Sequence, residues 1–443
     1  MSDSHGNWLA HRALACPRRL ALRADGVDLT YADLERESNR VARRLAARGV
    51  GEGSPVVVEL GPGLHFAIAL HALMKLGAVV HPLSPRLTGA ERERELRRAE
   101  PALVISSPAD LEGPEAETPP PRGRDLDALC CRLLTSGTSG EPAQVGLTYG
   151  NFLWSAVGSA FNLGVDPDDR WLCCLPLNHV AGLSILTRSV IYGTGAVVHP
   201  DFQVERVASS LAEDGITLVS LVATQLVRLL EAGVDLSGPR AILVGGGPVP
   251  AEALAEATAR GAVVVQTYGM TQTCSQVATL APADAERKAG SAGKPLFGAE
   301  VRISEGEILV RGPMVAPGWT DADGWLRTGD LGRIDDEGFL WVEGRADDVI
   351  VSGGENVIPD EVEAVLRRHP DVEDAAVVGR PDAVWQQAVT AVVVLREGAS
   401  ADAEALREWC AAELAGHKVP KRFEFAGELP RTGSGKLLRR ALR

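Results

Sequence analysis

The chain has 443 residues and a formal net charge of −14, with 45 Lys and Arg against 59 Asp and Glu. This length exceeds what one hydrophobic core usually supports, so two or more domains are expected. The acidic balance argues against nucleic acid or an anionic membrane surface as a partner. An anionic substrate must therefore be bound by local donors rather than by an overall positive field.

The cysteines and the apolar segments indicate the compartment. The 7 cysteines include two adjacent pairs but no C-x-x-C spacing, so reduced, buried thiols of a cytoplasmic protein are expected. The N-terminus lacks a basic region followed by an apolar one, and no signal peptide is predicted. The most apolar segment, 65–80, is interrupted by His71 and Lys75 and is too short to span a bilayer. It predicts a buried helix followed by a strand, and no membrane insertion.

From residue 31 to about 269, helical and extended patterns alternate along the chain. Helices are predicted at 31–48, 65–76, 90–100, 151–163, 204–214 and 250–260. Strands are predicted at 54–60, 78–82, 102–106, 128–134, 216–221, 241–244 and 262–266. This alternation predicts an α/β domain of largely parallel sheets covered by helices. The segment 108–124, rich in Pro and acidic residues, is expected to be a surface connector.

After residue 290 the pattern changes. Short strands separated by turns predict a small antiparallel sheet or barrel, at 299–303, 307–311, 329–334 and 339–343. A mixed α+β pattern follows, with helices at 359–368 and 401–415 and strands at 372–379 and 389–395. We place the domain boundary at 344–348, which gives a large N-terminal domain, 1–344, and a small C-terminal domain, 348–443.

The hydroxyl-rich segment Thr135–Gly140 directly follows the apolar run 128–134. It contains four hydroxyls and two glycines within six residues, although it is not the G-x-x-x-x-G-K-[ST] phosphate loop. Glycines permit close approach of the backbone, and hydroxyl and main-chain N–H groups can donate to phosphate oxygens. The segment predicts an anion-binding loop, with an ordinary polar surface loop as the alternative.

Further segments accompany this loop in a fixed order. They are LPLNHVAG at 175–182, GGGP at 245–248, QTYGMT at 266–271, TGD at 328–330, GRADD at 344–348 and PRTGSGK at 430–436. The set resembles the acyl- and aryl-CoA synthetase branch of the adenylate-forming enzymes, from about residue 20 to the C-terminus. The resemblance implies two steps, in which a carboxylate attacks ATP to give an acyl-adenylate and the thiol of CoA then displaces AMP.

The resemblance also implies which residues bind ATP. The loop Thr135, Ser136, Gly137, Thr138, Ser139 and Gly140 would hold the β- and γ-phosphates. The adenine would lie between Tyr268 and the backbone of Gly245, Gly246 and Gly247, with Gly269 and Met270 alongside. Asp330 would accept hydrogen bonds from the ribose hydroxyls, for which an ionised carboxylate is suited. Arg345 would support the ribose or phosphate side.

Three residues are expected at the reacting centre. Thr271 would contact the α-phosphate, and Lys436 would reach the bridging oxygen and the carboxylate in the first step only. His179 would line or gate the acyl pocket, without an acid–base role. Gly182 and Gly269 complete the residues expected at that pocket.

The resemblance also implies that the C-terminal domain moves between the two steps. Residues 345–347 would form a hinge centred on Asp347, and the C-terminal domain that carries Lys436 would rotate about it. Gly353 and Gly354 would lie on the side from which CoA enters.

Two positions depart from the family pattern. The phosphate loop normally continues with a lysine, but here Ala143 and Gln144 follow Pro142; Arg132 or Lys294 could replace the lost charge. The glutamate that usually helps to hold Mg²⁺ is replaced by Gln272. An amide oxygen is a weaker ligand than a carboxylate for a hard cation, so Mg²⁺ affinity and adenylation rate are in question.

Within the family, three stretches most resemble the o-succinylbenzoate–CoA ligases of menaquinone biosynthesis: 148–164, 179–193 and 268–297. The resemblance implies ATP, Mg²⁺ and CoA as cofactor and cosubstrates and a small carboxylic acid as substrate. Two alternatives stay open: a CoA ligase for another aryl or short acyl acid, and a weakened homologue that binds nucleotide without turnover. A homo-oligomer is compatible with the sequence, which does not fix the oligomeric state.

Overall fold

The computed structural model describes residues 7–117, 125–135, 143–352, 355–382, 385–431 and 437–442. The chain divides into two compact units. The first comprises Met1–Glu300 with Val310–Leu326, and the second comprises Val301–Leu309 with Arg327–Arg443. The expected boundary at 344–348 and the hinge at 345–347 lie in the second unit and remain predictions.

The helices alternate with strands through most of the first unit and recur near the end of the second. They are α1 Trp8–Ala15, α2 Tyr31–Ala47, α3 Leu64–Leu76, α4 Gly89–Ala99, α5 Tyr149–Leu163, α6 Val180–Tyr192, α7 Val204–Glu213, α8 Ala223–Glu231, α9 Ala251–Ala259, α10 Pro359–Arg367 and α11 Ala403–Glu413.

The strands are short in the first unit, and the two longest, β21 and β22, belong to the second. They are β1 Leu20–Ala24, β2 Val27–Thr30, β3 Pro55–Val58, β4 Val79–Pro82, β5 Leu103–Ile105, β6 Leu129–Leu134, β7 Gln144–Thr148, β8 Arg170–Cys173, β9 Gly195–Val198, β10 Leu218–Val222, β11 Ala241–Gly245, β12 Val264–Met270, β13 Ser275–Thr279, β14 Lys294–Pro295, β15 Glu300–Ser304, β16 Glu307–Arg311, β17 Leu326–Ile334, β18 Leu340–Arg345, β19 Ile350–Ser352, β20 Glu355–Val357, β21 Val372–Asp382, β22 Gln386–Leu395 and β23 Arg422–Phe425.

A nine-stranded sheet in the order β14-β13-β12-β11-β10-β8-β9-β1-β2 forms the larger part of the first unit. Its six central strands, from β12 to β1, are parallel, and β2, β13 and β14 pair antiparallel at the two edges. Parallel sheets are covered on both faces, so their strands are continuous apolar runs rather than alternating ones. The buried strands β9 and β11 have this composition, and the predicted α/β class is confirmed.

A second sheet of the first unit has the order β5-β3-β4-β6-β7. Its first four strands are parallel, and the edge strand β7 pairs antiparallel with β6. Helix α3 precedes β4 and is buried along almost its whole length, as the apolar segment 65–80 predicts. The buried ammonium of Lys75 on α3 bonds to Glu35 of α2. Among the described residues, no helix is long and apolar enough to cross a membrane.

The second unit contains two smaller sheets. Strands β15, β16, β17 and β18 form one in chain order, and β17 pairs antiparallel with β18. The other has the order β20-β19-β22-β21, with β23 beside β22. Helices α10 and α11 pack on this second sheet through an apolar core that includes Val362, Leu366, Val377 and Leu406. The mixed α+β character expected for this part of the chain is confirmed, while the domain bounds 348–443 remain a prediction.

Local signals explain where several helices begin. Thr30 caps α2 and exchanges hydrogen bonds with Asp33, which fixes the start that the sequence predicts at Tyr31. Helix α6 was not predicted as a helix. It begins after His179 and ends at Gly193, whose φ of 79° is a left-handed conformation that suits glycine.

Candidate active site

One edge of the nine-stranded sheet gathers several of the predicted site residues. The parallel strands β8, β10, β11 and β12 end there, and Val222 at the end of β10 lies beside Gly245 at the end of β11. In open α/β sheets, ligands bind at the carboxyl ends of the strands. The glycines 245–247, the segment 268–272 and His179, which follows β8, all come from this edge.

Of the three consecutive glycines at this edge, the structure requires a glycine at 245 and favours one at 246, whereas position 247 is open. A Cβ on Gly245 would lie 2.8 Å from Cγ2 of Thr267 and 3.1 Å from its carbonyl oxygen, so close strand packing requires it. Gly246 has a φ of +83°, which disfavours other residues. A Cβ on Gly247 meets nothing within 4 Å in the described structure. Open space beside Gly247 is compatible with a flat ligand lying on this backbone.

The end of β12 is tightly constrained. A Cβ on Gly269 would lie 1.7 Å from the carbonyl oxygen of Ser275, so no side chain fits there. The hydroxyl of Thr273 accepts from the Met270 N–H at 3.0 Å and donates to main-chain carbonyls. Cys274 and Ser275 follow with positive φ of 49° and 87°. Such strain at non-glycine residues is frequent at functional sites, where the surrounding structure holds it in place.

Thr135 lies at the base of the hydroxyl-rich loop. Its N–H donates to the carbonyl of Ala143 at 2.9 Å, and its hydroxyl approaches the same oxygen at 3.3 Å. This pairing continues the antiparallel ladder of β6 and β7 and brings the two ends of the loop together. The residues Ser136, Gly137, Thr138, Ser139 and Gly140 lie outside the described residues, so their phosphate-binding role remains a prediction.

His179 and Gly182 both belong to the start of α6. His179 is the residue before the first turn of the helix, and burial lowers the pKa of its imidazole, which keeps the ring neutral at pH 7. A Cβ on Gly182 would lie 2.5 Å from the carbonyl oxygen of Pro176. Gly182 is therefore required by the packing of α6 on the preceding turn, whether or not it also contacts a ligand.

Arg188 is a buried cation that the sequence analysis did not single out. Arg188 lies in α6 and is 3% exposed to solvent. The carbon of its guanidinium is 5.2 Å from the ring centroid of Trp171. Its Nε and Nη2 atoms have no hydrogen-bond partner in the described part of the chain. Burial lowers the pKa of this guanidinium, but arginine remains charged at neutral pH. The sequence held one signal of this residue: Arg188 is the only charged residue of the apolar helix 180–192, which contains no acidic residue that could pair with it.

Other buried polar groups belong to the elements that pack with α6. The amide of Gln276 on β13 and the hydroxyls of Ser155 on α5 and Ser184 on α6 are buried and have no partner within the ranges that the structure describes. Native proteins pair nearly all buried polar groups, and several unpaired ones in adjoining elements indicate a missing ligand or water. These groups can both donate and accept hydrogen bonds, and together with the Arg188 guanidinium they are compatible with an anionic ligand.

In the second unit, Asp330 and Arg345 face each other across the β17–β18 ladder. Nη1 of Arg345 donates to Oδ1 of Asp330 at 2.8 Å and to the carbonyl of Thr328 at 3.0 Å. Gly329 has a φ of +70°, and a Cβ there would lie 2.9 Å from Nη2 of Arg345. The guanidinium of Arg345 thus orients the carboxylate of Asp330.

The remaining predicted residues are more scattered. Asp347 lies in a 3₁₀ turn, Ala346–Asp348, directly after Arg345. Gly353, Gly354 and Lys436 lie outside the described residues, and their roles remain predictions. The two units are described separately, so the residues of the first unit are not placed relative to Asp330 and Arg345.

The described residues offer little for a tightly bound metal. No group of three or more His, Cys, Asp or Glu side chains among them could hold a metal ion. Tyr268 and Thr271 are half-buried near Gln272, whose carbonyl accepts from the Ala316 N–H at 2.7 Å. The main-chain carbonyl of Gln272 is therefore engaged, and its side-chain amide is the candidate group for contact with a cation.

Comparisons with known protein families identify the class. The profile of the AMP-binding enzyme family matches residues 9–320, and that of the AMP-binding enzyme C-terminal domain matches residues 361–436. Among solved structures, ATP-bound MatB from Rhodopseudomonas palustris superposes with a TM-score of 0.93 at 28% identity, covering 99% of this chain and 98% of that one.

More similar relatives narrow the family. The 2-succinylbenzoate–CoA ligase of Bacillus licheniformis is 40% identical over the full length of both chains, and that of Geobacillus kaustophilus is 41% identical over 99% of this chain and 97% of its own. The o-succinylbenzoate CoA synthetase of Bacillus subtilis in complex with its acyl-adenylate intermediate has a TM-score of 0.94 at 38% identity, covering 99% and 98% of the two chains. The chain therefore belongs to the AMP-binding enzymes and, within them, to the family of the 2-succinylbenzoate–CoA ligases.

The amide at position 272 leads to a testable expectation. We predict that Gln272→Glu lowers the Mg²⁺ concentration required for half-maximal adenylation, because a carboxylate is a stronger ligand for a hard cation than an amide. A magnesium titration of pyrophosphate release in both proteins measures the change. Gln386→Glu, an exposed position in the second unit, is the matched control and should leave the midpoint unchanged. An unchanged midpoint and kcat for Gln272→Glu would remove position 272 from the metal sphere.

Proposed function

We propose that this protein ligates 2-succinylbenzoate to CoA through an acyl-adenylate, with ATP as the activating substrate. In the first step the succinyl carboxylate attacks the α-phosphorus of ATP, the bond to the β-phosphate breaks, and pyrophosphate leaves. In the second step the CoA sulfur attacks the acyl carbonyl, loses its proton and expels AMP. Full-length relatives at about 40% identity carry this activity in their names, and the product places the reaction in menaquinone biosynthesis.

The observation that carries the substrate assignment is the unpaired cation Arg188. The substrate has two carboxylates, and only the succinyl one is consumed in the reaction. The aromatic carboxylate needs a counter-ion inside the acyl pocket, because an unpaired charge buried in a protein costs several kcal/mol. The guanidinium of Arg188 would supply the charge, and the amide of Gln276 and the hydroxyls of Ser155 and Ser184, on elements that pack together, would supply further donors. A monocarboxylic substrate would leave this guanidinium buried and unpaired.

The neutral ring of His179 is compatible with a place beside the acyl chain, since a cation there would compete with Arg188 for the substrate. We assign the adenine to the backbone of Gly246 and Gly247 and the face of Tyr268. Asp330, oriented by Arg345, would accept hydrogen bonds from the ribose hydroxyls. These groups bind and align, which is the main source of catalysis when a nucleophile attacks a phosphate.

The first step also requires positive charge near the transferred phosphate. Lys436 would supply it, with Thr271 donating to the α-phosphate and the loop 135–140 donating to the β- and γ-phosphates. Mg²⁺ would arrive with ATP and neutralise its phosphates. It is bound with ATP in a Bacillus subtilis relative of 38% identity, and Gln272 is the candidate protein ligand here.

We also propose that the C-terminal domain rotates about Asp347 between the two steps and that the segment containing Gly353 and Gly354 then faces CoA. A cytoplasmic location agrees with this reaction and with the seven cysteines, all of which are described as free thiols. A homo-oligomer remains compatible with the sequence.

The function is tested by thioester formation with a panel of acids. We expect 2-succinylbenzoate to give the highest kcat/KM, above benzoate and hexanoate, with ATP and CoA both required and AMP released in equal amount. An equal or better kcat/KM with benzoate or hexanoate would favour a ligase for another acid. Nucleotide binding without turnover of any acid would favour the weakened homologue.

Removing the buried cation should separate substrate recognition from folding. We expect Arg188→Met to lower kcat/KM for 2-succinylbenzoate by about 10²–10³-fold, because the aromatic carboxylate would be buried without a counter-ion. The thermal midpoint of the free protein should be unchanged or raised, since the variant no longer buries an unpaired charge.

The conservative variant Arg188→Lys is the matched control and should retain part of the activity. A lower thermal midpoint together with an unchanged kcat/KM would show that Arg188 serves folding rather than substrate binding.

A further inference from the structure

Two arginines flank the segment 432–436 of the second unit, and both are held by carboxylates of the same unit. On the N-terminal side, Nη2 of Arg431 donates to Oδ2 of Asp374 at 2.5 Å. On the C-terminal side, Arg439 reaches Asp348, Asp360 and Glu363 with all three of its nitrogen atoms. Neither arginine is part of the nucleotide or acyl site described above.

Arg439 is the most heavily bonded of these cations. Its Nε donates to Oε1 of Glu363 at 3.0 Å, its Nη2 donates to Oε2 of the same carboxylate at 2.9 Å, and its Nη1 donates to Oδ2 of Asp348 at 3.1 Å. Nη2 also bonds to Asp360. The planar guanidinium can meet several carboxylates in one plane, which an ammonium cannot do. Its side chain is 12% exposed, so water screens these bonds only weakly.

A third arginine joins the two flanks into one chain of ion pairs. Arg367 of α10 donates to Oε2 of Glu363 at 3.1 Å and to Oδ1 of Asp374 at 3.2 Å. The bonds therefore run without a break from Arg431 through Asp374, Arg367 and Glu363 to Arg439. Glu363, at the centre, is 1% exposed and also accepts from the Val377 N–H at 2.8 Å.

Main-chain and apolar contacts hold the same two flanks. Arg431 and Leu437 form an antiparallel bridge, and the Leu438 N–H donates to the carbonyl of Pro430 at 2.8 Å. Leu437 and Leu442 pack on a small apolar cluster of the sheet that includes Val392 and Leu429. The described residues on the two sides of 432–436 are thus joined to each other, to α10 and to β21.

The chain of ion pairs also includes the start of the segment after the predicted hinge. Asp348 follows Asp347 directly and is tied through Arg439 to Asp360 near the start of α10. A Cβ on Gly344 would lie 3.2 Å from Oδ2 of Asp360, so the end of β18 packs close to the same carboxylate. Arg439 therefore connects the residues just after the hinge with the residues just after Lys436.

We propose that Arg439 is a positioning residue for the adenylation step, which fixes the ends of the segment that carries Lys436 and couples them to the residues following the hinge. The inference rests on the proposed function, because Lys436 acts on ATP only within that reaction. A displacement of about 1 Å in a reacting group can lower a rate by about 100-fold, so a loosened anchor affects the step that uses Lys436. The thioester step does not use Lys436 in this mechanism and should be largely spared.

The test measures both half-reactions in the full-length enzyme. In Arg439→Lys, which keeps the charge but lacks the planar fork, we expect adenylation to fall by about 10- to 100-fold. Thioester formation from preformed acyl-adenylate should stay near the wild-type rate. Arg431→Gln breaks the partly exposed pair on the other flank, with little effect on folding, and should show the same split to a smaller extent.

Two further variants make the outcome decisive. Arg368→Gln removes an exposed ion pair with Glu413 that does not belong to the network, and it should leave both half-reactions unchanged. Lys436→Ala should lose adenylation by about 10²–10³-fold, as expected for one preorganised donor.

If Lys436→Ala adenylates at the wild-type rate, the proposed role of that lysine fails, whatever the adenylation rate of Arg439→Lys. If Lys436→Ala is impaired but Arg439→Lys and Arg431→Gln adenylate at the wild-type rate, the positioning role alone is overturned. Equal losses in both half-reactions for Arg439→Lys, with a lower thermal midpoint, would show a structural role only and would also overturn it.

Discussion

The guanidinium of Arg188 is a buried positive charge whose Nε and Nη2 atoms have no hydrogen-bond partner within the described chain. A buried charge without a counter-ion is unfavourable, and an anionic ligand that pairs with it removes that cost. Interactions that are unsatisfied without ligand and satisfied with it are a means of selecting a substrate. The substrate assignment of this protein depends on that arrangement, since the nucleotide-binding features are common to the whole family.

The fold explains how this cation is positioned. Helix α6 begins where β8 ends, at the edge of the sheet to which the glycines 245–247 and the end of β12 also belong. Close packing of Gly182 on the preceding turn fixes the start of the helix, and a side chain at Gly269 is excluded by the carbonyl of Ser275. Backbone contacts of this kind leave little freedom, so the groups that line the edge are preorganised before any ligand binds.

The second unit uses charge in a different way. Around Arg345 and around Arg439, each guanidinium is paired with carboxylates and serves to orient them or to anchor a segment. The paired arginines of this unit thus differ from the unpaired Arg188 of the first.

Much of the architecture could be predicted from the sequence, because short apolar strands alternate with amphipathic helices and cap signals such as Thr30 mark where helices start. Candidate site residues could be named from the sequence where they belong to short motifs, such as the glycines 245–247 and the segment 328–330. Helix α6 was not predicted, since apolar and polar residues mix along it without a clear period. Arg188 was missed for a related reason: its burial and its lack of partners arise only from the packing of α5, α6 and β13.

The network of Arg439 could not be predicted from sequence either. A basic C-terminal segment ordinarily indicates a solvated tail, and the carboxylates that bind this arginine lie 76 to 91 positions away in the chain. Ion pairs between residues that are distant in the chain produce no local sequence pattern. They become visible only in the folded arrangement of α10, β21 and the C-terminal segment.

The central claim, that a buried cation selects a second carboxylate, is tested most directly with two substrates and the wild-type enzyme. The measurement is the ratio of kcat/KM for 2-succinylbenzoate to that for 4-oxo-4-phenylbutanoate, which is the same acid without the aromatic carboxylate. A site built around a buried charge rejects an analogue that lacks its partner, and we expect a ratio of about 10³ or more. Values within a few-fold of each other would contradict the account.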